Sequence, residues 1–194
     1  MSMFQWVKPG SHNVIADFTA LSNFTTEDSL LKGVAKQPVI PRGFWERAGA
    51  TFMVRAAGVF GTTGTPTMLW NARLKSTVGV SQLDGTIVGG SAAITLASGV
   101  TNDRWELYLR LICRTPGQGS GNTTINCDGR IDLIHAAADM VSRTLVPTTG
   151  TPQTWTVATG IQNDVDLYLN LTATCGTANA SNTLQCKSLE WFYY

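Results

Sequence analysis

The sequence predicts an all-β sandwich, and three observations support that fold class. Charged residues make up only 14% of the 194 residues, against about a quarter in average soluble proteins. From residue 50 onward, short runs of alternating apolar and polar residues are separated by turn-forming residues, which is typical of antiparallel strands. No helical periodicity alternates with these runs, and this excludes a doubly wound α/β fold.

The clearest of about eight predicted strands covers residues 104–113. Its odd-numbered residues from Trp105 to Cys113 are apolar, whereas Arg104, Glu106, Tyr108 and Arg110 point the other way, so one face is expected in the core. Residues 136–145 are expected to be irregular or to form a short strand. The other strands are predicted at 51–60, 68–75, 78–83, 92–96, 123–134, 154–158, 165–174 and 183–194. This number of short strands is typical of a two-sheet antiparallel jelly roll.

Residues 1–45 show no sustained periodicity and are predicted to form an extended N-terminal arm, with the sandwich domain over 46–194. Phe4, Trp6, Phe18 and Phe24 lie in this segment between turn-forming residues. Large apolar side chains are costly to leave in water. The arm is therefore expected to pack either on its own domain or on a partner, and the sequence leaves both open. Thr25 followed by Asp28 could begin a short helix within it.

The four cysteines are expected to be buried thiols, since free cysteine behaves as a small hydrophobic residue. No two of them have the spacing of a zinc site, and the chain has only two histidines, so no metal is expected. Cys113 and Cys127 flank the loop at 115–121, and Cys175 and Cys186 flank the turn at 176–182. Either pair could oxidise to a disulfide once the protein leaves the cytoplasm.

Charge and motifs argue against several functions. A net charge of +1 lacks the basic excess of a nucleic-acid-binding protein. The chain has no secretory signal and no apolar run long enough to span a membrane, so synthesis and folding in a cytoplasm are expected. No nucleophile elbow, well-placed histidine or facing pair of carboxylates is present. We therefore expect neither catalysis nor a cofactor, and Glu106 is interpreted as part of a solvated or intersubunit face.

Several segments together resemble a β-sandwich common among virion proteins of tailed phages, over about residues 29–190. They are Ile40-Pro41-Arg42-Gly43-Phe44-Trp45 with Gly49, Arg55-Ala56-Ala57-Gly58, Thr63-Gly64-Thr65-Pro66-Thr67, Ala93-Ile94-Thr95-Leu96-Ala97-Ser98-Gly99, Trp105-Glu106-Leu107, Cys113-Arg114-Thr115, Asp166-Leu167, Leu171-Thr172-Ala173-Thr174 and Ala178-Asn179-Ala180-Ser181-Asn182-Thr183. The resemblance implies a jelly-roll structural protein, often trimeric: a capsid decoration (cement) protein, a head fibre, or a neck or tail component.

The two chain ends depart from that pattern and favour the decoration role. Exposed aromatic residues are efficient anchors at protein contacts, and apolar arms suit a protein that grips a shell of repeating subunits. The candidate contacts with the capsid or a neighbouring subunit are Phe4, Trp6, Phe18, Phe24, Trp191, Phe192, Tyr193 and Tyr194. The alternative for the C-terminal aromatic residues is that they complete the last strand.

The expected function is therefore a homotrimeric capsid decoration protein on the virion surface, made in the host cytoplasm. Its partners would be its own copies and the phage major capsid protein, with no nucleic acid and no membrane. One alternative is a head-fibre, neck or tail protein that binds a host receptor or carbohydrate at strand-end loops such as 115–121. A second, a carbohydrate-active jelly-roll enzyme or sugar-binding module, is disfavoured by the missing carboxylate pair and the scarce histidines.

Overall fold

The computed structural model describes residues 11–15, 17–33, 37–76, 83, 85–117, 122–134, 140–145 and 158–194. These residues form two antiparallel sheets packed as a sandwich, with a short 3-10 helix at Phe44–Glu46 and no α-helix. No helix among them is long and apolar enough to cross a membrane. The strands are β1 (Ser11–Ile15), β2 (Leu21–Ser22), β3 (Asp28–Ser29), β4 (Val39–Ile40), β5 (Thr51–Thr62), β6 (Thr67–Lys75), β7 (Thr86–Gly90), β8 (Ile94–Thr95), β9 (Val100–Thr115), β10 (Thr123–Ile134), β11 (Met140–Leu145), β12 (Ala158–Ile161), β13 (Leu167–Cys175) and β14 (Thr183–Tyr193).

The strand order is that of a jelly roll. The larger sheet runs β1-β14-β5-β9-β10-β11, with β2 on β14 and β12 on β10; the smaller sheet runs β3-β13-β6-β7, with β4 on β13 and β8 on β6. The strand pairs are nested, so that the first strands pair with the last ones: β1 with β14, β3 and β4 with β13, β5 with β9, and β6 with β7. A long hairpin folded over in this way forms the two Greek keys of a jelly roll. The predicted all-β antiparallel sandwich is therefore confirmed, and β10 to β12 extend the larger sheet.

The core lies between the two sheets and contains four fully buried tryptophans: Trp45, Trp70, Trp105 and Trp191. In β9 the burial alternates as predicted, with Trp105 to Cys113 inward at odd positions. Gly58 in β5 allows the Trp105 indole to cross the strand, and the indole N–H donates to the Gln185 carbonyl at 3.2 Å. A Cβ built on Gly58 would clash with that same carbonyl oxygen and would lie 2.8 Å from Trp105 Nε1.

Of the two placements that the sequence left open for the arm at residues 1–45, the structure shows the first, because the described part packs on its own domain. Strands β1 and β2 pair with β14, and β3 and β4 pair with β13. Phe18 and Phe24 are 1% and 5% exposed and belong to the common core. Their large apolar side chains are therefore buried in their own sandwich and are not available to a partner. Phe4 and Trp6 lie outside the described residues.

One local prediction also differs from the structure, and two predicted strands lie almost entirely outside the described residues. The helix start expected at Thr25 is instead a turn followed by strand β3, because Ser29 and Asp28 pair with β13. Strand β7 lies at Thr86–Gly90, whereas of the strand predicted at 78–83 only Leu83 is described. The strand predicted at 154–158 is described only at Ala158, which is the first residue of β12.

Candidate functional site on the larger sheet

Register across the larger sheet aligns its outward side chains in four rows, which we call the open face. Each row crosses neighbouring strands from β14 to β10, because directly paired residues point to the same side of a sheet. The rows are Phe192, Met53, Arg110, Asp128; Asn13 (on β1), Glu190, Arg55, Tyr108, Arg130; Ser188, Ala57, Glu106, Asp132; and Gln185, Val59, Arg104, Ile134.

A shallow depression of about 510 Å³ lies in the middle of the open face. Ala57 and Ser188 are small residues within it, and longer side chains surround them. The polar side chains that line it are Asn13, Arg55, Glu106, Tyr108, Arg130, Asp132, Ser188 and Glu190. The depression thus combines two guanidinium groups, three carboxylates and one phenol in a volume suited to a small ligand or a partner side chain.

Charge on the open face is balanced, with four arginines and four carboxylates in the rows. Three pairs form within the face: Arg104 with Glu106, Arg110 with Asp128, and Arg130 Nε with Asp132 Oδ2 at 2.9 Å. The hydrogen bond to Asp128 raises the pKa of Arg110 above its ordinary value. No lysine occurs in the four rows; Lys187, at the bulge in β14, pairs with Asp17 at 2.9 Å.

Arg55 and Glu190 are the two charged residues of the face for which the structure records no ion pair among the described residues. They are direct cross-strand neighbours. The Arg55 guanidinium lies over two aromatic rings instead, 5.8 Å from the Tyr108 centroid and 5.7 Å from the Phe192 centroid. Such cation–π contacts stabilise an exposed guanidinium by about 0.5–1 kcal/mol.

The C-terminal aromatic residues divide between the core and the surface. Trp191 and Tyr193 face inward, where Trp191 stacks on His12 with centroids 5.1 Å apart. The Tyr193 hydroxyl donates to the Val39 carbonyl and accepts from Trp191 Nε1 at 3.2 Å, and burial raises the pKa of Tyr193. These two residues complete the last strand, so the interpretation of them as contact residues is wrong. Phe192 lies on the open face and Tyr194 is 65% exposed, and their contact role stays a prediction.

The four cysteines are free and buried. Cys113 pairs in register with Ile125, and Cys127 with Leu111, so these two cysteines are not opposite each other as the loop symmetry suggested. Cys175 lies in the smaller sheet and Cys186 in the larger one. Burial raises the pKa of Cys127 and of Cys186 to about 12, which makes both thiols poor nucleophiles in the folded protein.

The outer face of the smaller sheet carries a different polar cluster, which we call the covered face. Glu27, from the segment between β2 and β3, lies over this sheet. Its carboxylate accepts from Arg73 Nε at 2.8 Å and from Asn71 Nδ2 at 3.3 Å, and pairs with an Arg73 terminal nitrogen at 2.6 Å. The Thr172 hydroxyl also donates to it. Burial alone would raise the pKa of Glu27, but these hydrogen bonds and the Arg73 charge hold it below the ordinary value of 4.5.

Arg55, Glu190 and Glu27 are the functional candidates that sequence reasoning did not single out. Alternation in β5 and in β14 was sufficient to predict that Arg55 and Glu190 point outward. Their adjacency depends on pairing between strands more than 130 positions apart, for which the sequence has no local signal. The described residues contain no group of three or more His, Cys, Asp or Glu side chains that could hold a metal ion.

Fold and site together define this chain as a jelly-roll β-sandwich with one open, charge-balanced sheet face. No protein-family model matches the sequence, and no curated protein matches it significantly. Among solved structures, it is similar to the CBM2 module of the evolved Dit of Lactobacillus casei BL23 phage J-1, at 10% identity and a TM-score of 0.22, over 74% of this chain and 70% of that one.

A second similarity is to the GlcNAcα1-4Gal-releasing endo-β-galactosidase from Clostridium perfringens, at 9% identity and a TM-score of 0.22. It covers 94% of this chain but only 46% of the enzyme, so this chain spans about half of that protein. At such TM-scores neither similarity bears on the fold or the function of this chain.

Proposed function

We propose that this protein is a structural protein of a tailed-phage virion: a capsid decoration protein that bridges neighbouring capsomers and stabilises the assembled shell. Because such a protein binds the shell and not the free capsomer, each contact stabilises the assembly by linkage. The proposed partners are further copies of this chain and the major capsid protein, on the outer surface of the capsid. The sequence resemblance predicts three copies per decoration unit.

The composition of the open face is the observation that supports this proposal. Its cations are all arginines, and its other large side chains are Met53, Tyr108, Phe192, Val59 and Ile134. Protein interfaces are enriched in arginine, methionine and aromatic residues and depleted in lysine and in carboxylates relative to the rest of the surface. The open face follows this pattern in its cations and its aromatic residues, and each of its four carboxylates lies beside an arginine of the same face. A sheet face that functioned only as a solvated surface would have no reason to exclude lysine.

The proposed role is not catalytic, and the carboxylates in the depression support this. Glu106 pairs with Arg104, and Asp132 pairs with Arg130. A glycosidase uses a pair of carboxyl groups that flank the scissile bond, and of the three carboxylates in this depression only Glu190 has no recorded ion pair among the described residues. Turnover of any glycoside by the purified protein would contradict this part of the proposal.

Copy number in the particle tests the proposal directly. Quantitative mass spectrometry of purified virions, calibrated against the major capsid protein, should find this chain in a fixed ratio that corresponds to hundreds of copies. A protein absent from the virion would overturn the structural role, whereas a handful of copies would move it to the neck, tail or head fibre.

A second candidate function, a receptor- or carbohydrate-binding virion component, is favoured by the depression in the open face. Carboxylates, arginines and Tyr108 line it, and these side chains provide the donors and acceptors that sugar hydroxyls use. Binding of the purified protein on a glycan array, lost in Glu190→Ala and Tyr108→Ala variants, would support this function. The loop at 115–121, where the sequence placed such a ligand, is described only up to residue 117.

A further inference from the structure

We infer that the open face binds the open face of a second copy of this chain, across a two-fold axis that runs parallel to the strands between β14 and β5. This inference rests on the proposed structural role, in which copies of this chain bind each other, but it replaces the three copies that the sequence resemblance predicts with two. It identifies the surface, the partner and the two side chains that hold the copies in register, Arg55 and Glu190.

Charge complementarity singles out a second copy as the occupant. The four rows carry equal numbers of arginines and carboxylates, so two such faces do not repel each other. Three charge pairs are formed within the face, and Arg55 and Glu190 have no recorded ion pair among the described residues. A partner that satisfies both must present one carboxylate and one guanidinium side by side, as this chain does.

Register defines the symmetry. A two-fold axis parallel to the strands, midway between β14 and β5, exchanges those two strands between copies and preserves the rows. It therefore places Arg55 opposite Glu190 of the second copy, and Glu190 opposite its Arg55. The same operation places Phe192 opposite Met53 and Asn13 opposite Tyr108. Every contact occurs twice, which is the property of an isologous interface, and parallel strands in the two faces correspond to aligned sheet packing.

The overlapping part of the face is just large enough for a specific dimer. Four strands, β1, β14, β5 and β9, lie opposite those of the second copy, and with four rows they span about 20 by 25 Å at ordinary strand and residue spacings. Two copies would therefore bury about 1,000 Å² in total, the minimum for a specific protein interface. The small residues Ala57 and Ser188 face each other near the axis, so no large side chain keeps the two sheets apart there.

Charge reversal of the two residues, singly and together, tests the inference. Analytical ultracentrifugation of the wild-type protein should give twice the chain mass of 20.8 kDa. In Arg55→Glu alone two carboxylates face each other at both points, and in Glu190→Arg alone two guanidinium groups do. Like charges that face each other cost several kcal/mol, so each variant should dissociate with a Kd raised by about 100-fold or more.

Two combinations of these variants, a mixture and a double variant, distinguish a two-fold dimer from a three-fold ring. An equimolar mixture of Arg55→Glu and Glu190→Arg should recover a heterodimer, because both of its contacts then join opposite charges. In a ring of three, any mixture of the two variants keeps at least one like-charge contact. The double variant, by contrast, should associate in either symmetry. Rescue by the mixture thus supports the two-fold, whereas rescue by the double variant alone, at three times the chain mass, would overturn it in favour of the trimer.

Controls keep this test independent of folding and of the proposed function. Arg47→Glu, in an exposed loop outside the rows, should associate like the wild type, and circular dichroism should show every variant folded. A wild-type protein that stays monomeric at high concentration would overturn the inference. The proposed function would then still be tested by the copy number in the virion. If the chain is absent from virions but the mixture of Arg55→Glu and Glu190→Arg forms a heterodimer, the inferred interface is supported and the decoration role is overturned.

Discussion

The outer faces of the two sheets carry similar polar residues but use them in opposite ways. On the covered face, Glu27 closes over Arg73, Asn71 and Thr172, and the Arg73 and Glu27 side chains are only 15% and 20% exposed. On the open face, the Arg104 and Glu106 side chains are 65% and 43% exposed, and no described segment of the chain lies over the depression between Arg55 and Glu190.

The difference shows which polar groups are satisfied within a single copy of the chain. The N-terminal segment adds strands to both sheets and lays Glu27 across the smaller one, so the polar groups there are satisfied within a single copy. The larger sheet gains only edge strands from this segment, and two charged residues at its centre, Arg55 and Glu190, have no ion pair with any residue that the structure describes. A buried, satisfied cluster contributes to folding, whereas an exposed, balanced one is suited to association.

The largest expected loss of stability comes from a substitution at Gly58, in strand β5 beneath the open face. Gly58→Ala would place a methyl group against the Gln185 carbonyl and the Trp105 indole, and since backbone must move, we expect the free energy of unfolding to fall by about 3 kcal/mol. Urea denaturation followed by tryptophan fluorescence measures this. The variant should also weaken self-association, because the β5–β14 pairing beneath Arg55 and Glu190 would be displaced.

A second glycine, Gly89, serves as a control that distinguishes a clash with backbone from the general cost of adding a methyl group to the core. A Cβ on Gly89 would meet the Cys127 thiol from the opposite sheet, which is a side chain and can be shortened. Gly89→Ala should therefore be partly rescued by Cys127→Ala, measured as a double-mutant cycle. An unfolding free energy of Gly58→Ala within about 0.5 kcal/mol of the wild type would show that the strand pairing is looser than the structure indicates.

The next effect in size compares the two faces directly. Glu27→Gln leaves the partly buried Arg73 without its carboxylate, and we expect a loss of about 2 kcal/mol in the free energy of unfolding. Glu106→Gln removes the corresponding carboxylate of an exposed pair, and such pairs contribute about 0–1 kcal/mol. Equal losses from the two variants, measured by urea denaturation in the same buffer, would abolish the distinction between a covered and an open face.

Sequence reasoning found the sandwich because alternation in strands such as β9 is local. Trp105 to Cys113 have the predicted inward pattern, and no distant residue is needed to recognise it. It failed for Phe18 and Phe24, because the same aromatic side chains fit an arm on a partner or a segment in its own core. Only the pairing of β1 and β2 with β14, more than 160 positions away, decides between the two.

The residues of the two polar faces were harder still to predict, because their contacts join strands that are distant in the sequence. Glu27 lies in a segment whose Thr25 and Asp28 suggest a helix start, and its partners Arg73 and Thr172 come from strands β6 and β13. A carboxylate between two turn-forming residues has no local feature that predicts burial against a distant guanidinium. Arg55 and Glu190 are likewise recognised as a pair only once β5 and β14 are aligned.

The smallest expected effect is a pH dependence that belongs to the covered face. Because the pKa of Glu27 is lower in the folded protein than its ordinary value of 4.5, the unfolded chain binds its proton more readily. The stabilisation is therefore fully present above that ordinary value and is lost as the pH falls through the lowered pKa. As the pH falls below 4.5, the wild type should lose more of its free energy of unfolding than Glu27→Gln does.

Urea denaturation at several pH values, compared between wild type and variant, measures this difference and cancels the contribution of the other carboxylates. If Glu27→Gln runs parallel to the wild type, Glu27 is not held by Arg73 in solution, and the smaller sheet has an open outer face as well. The proposed dimer would then have two candidate surfaces, and only the Arg55 and Glu190 charge reversals would distinguish them.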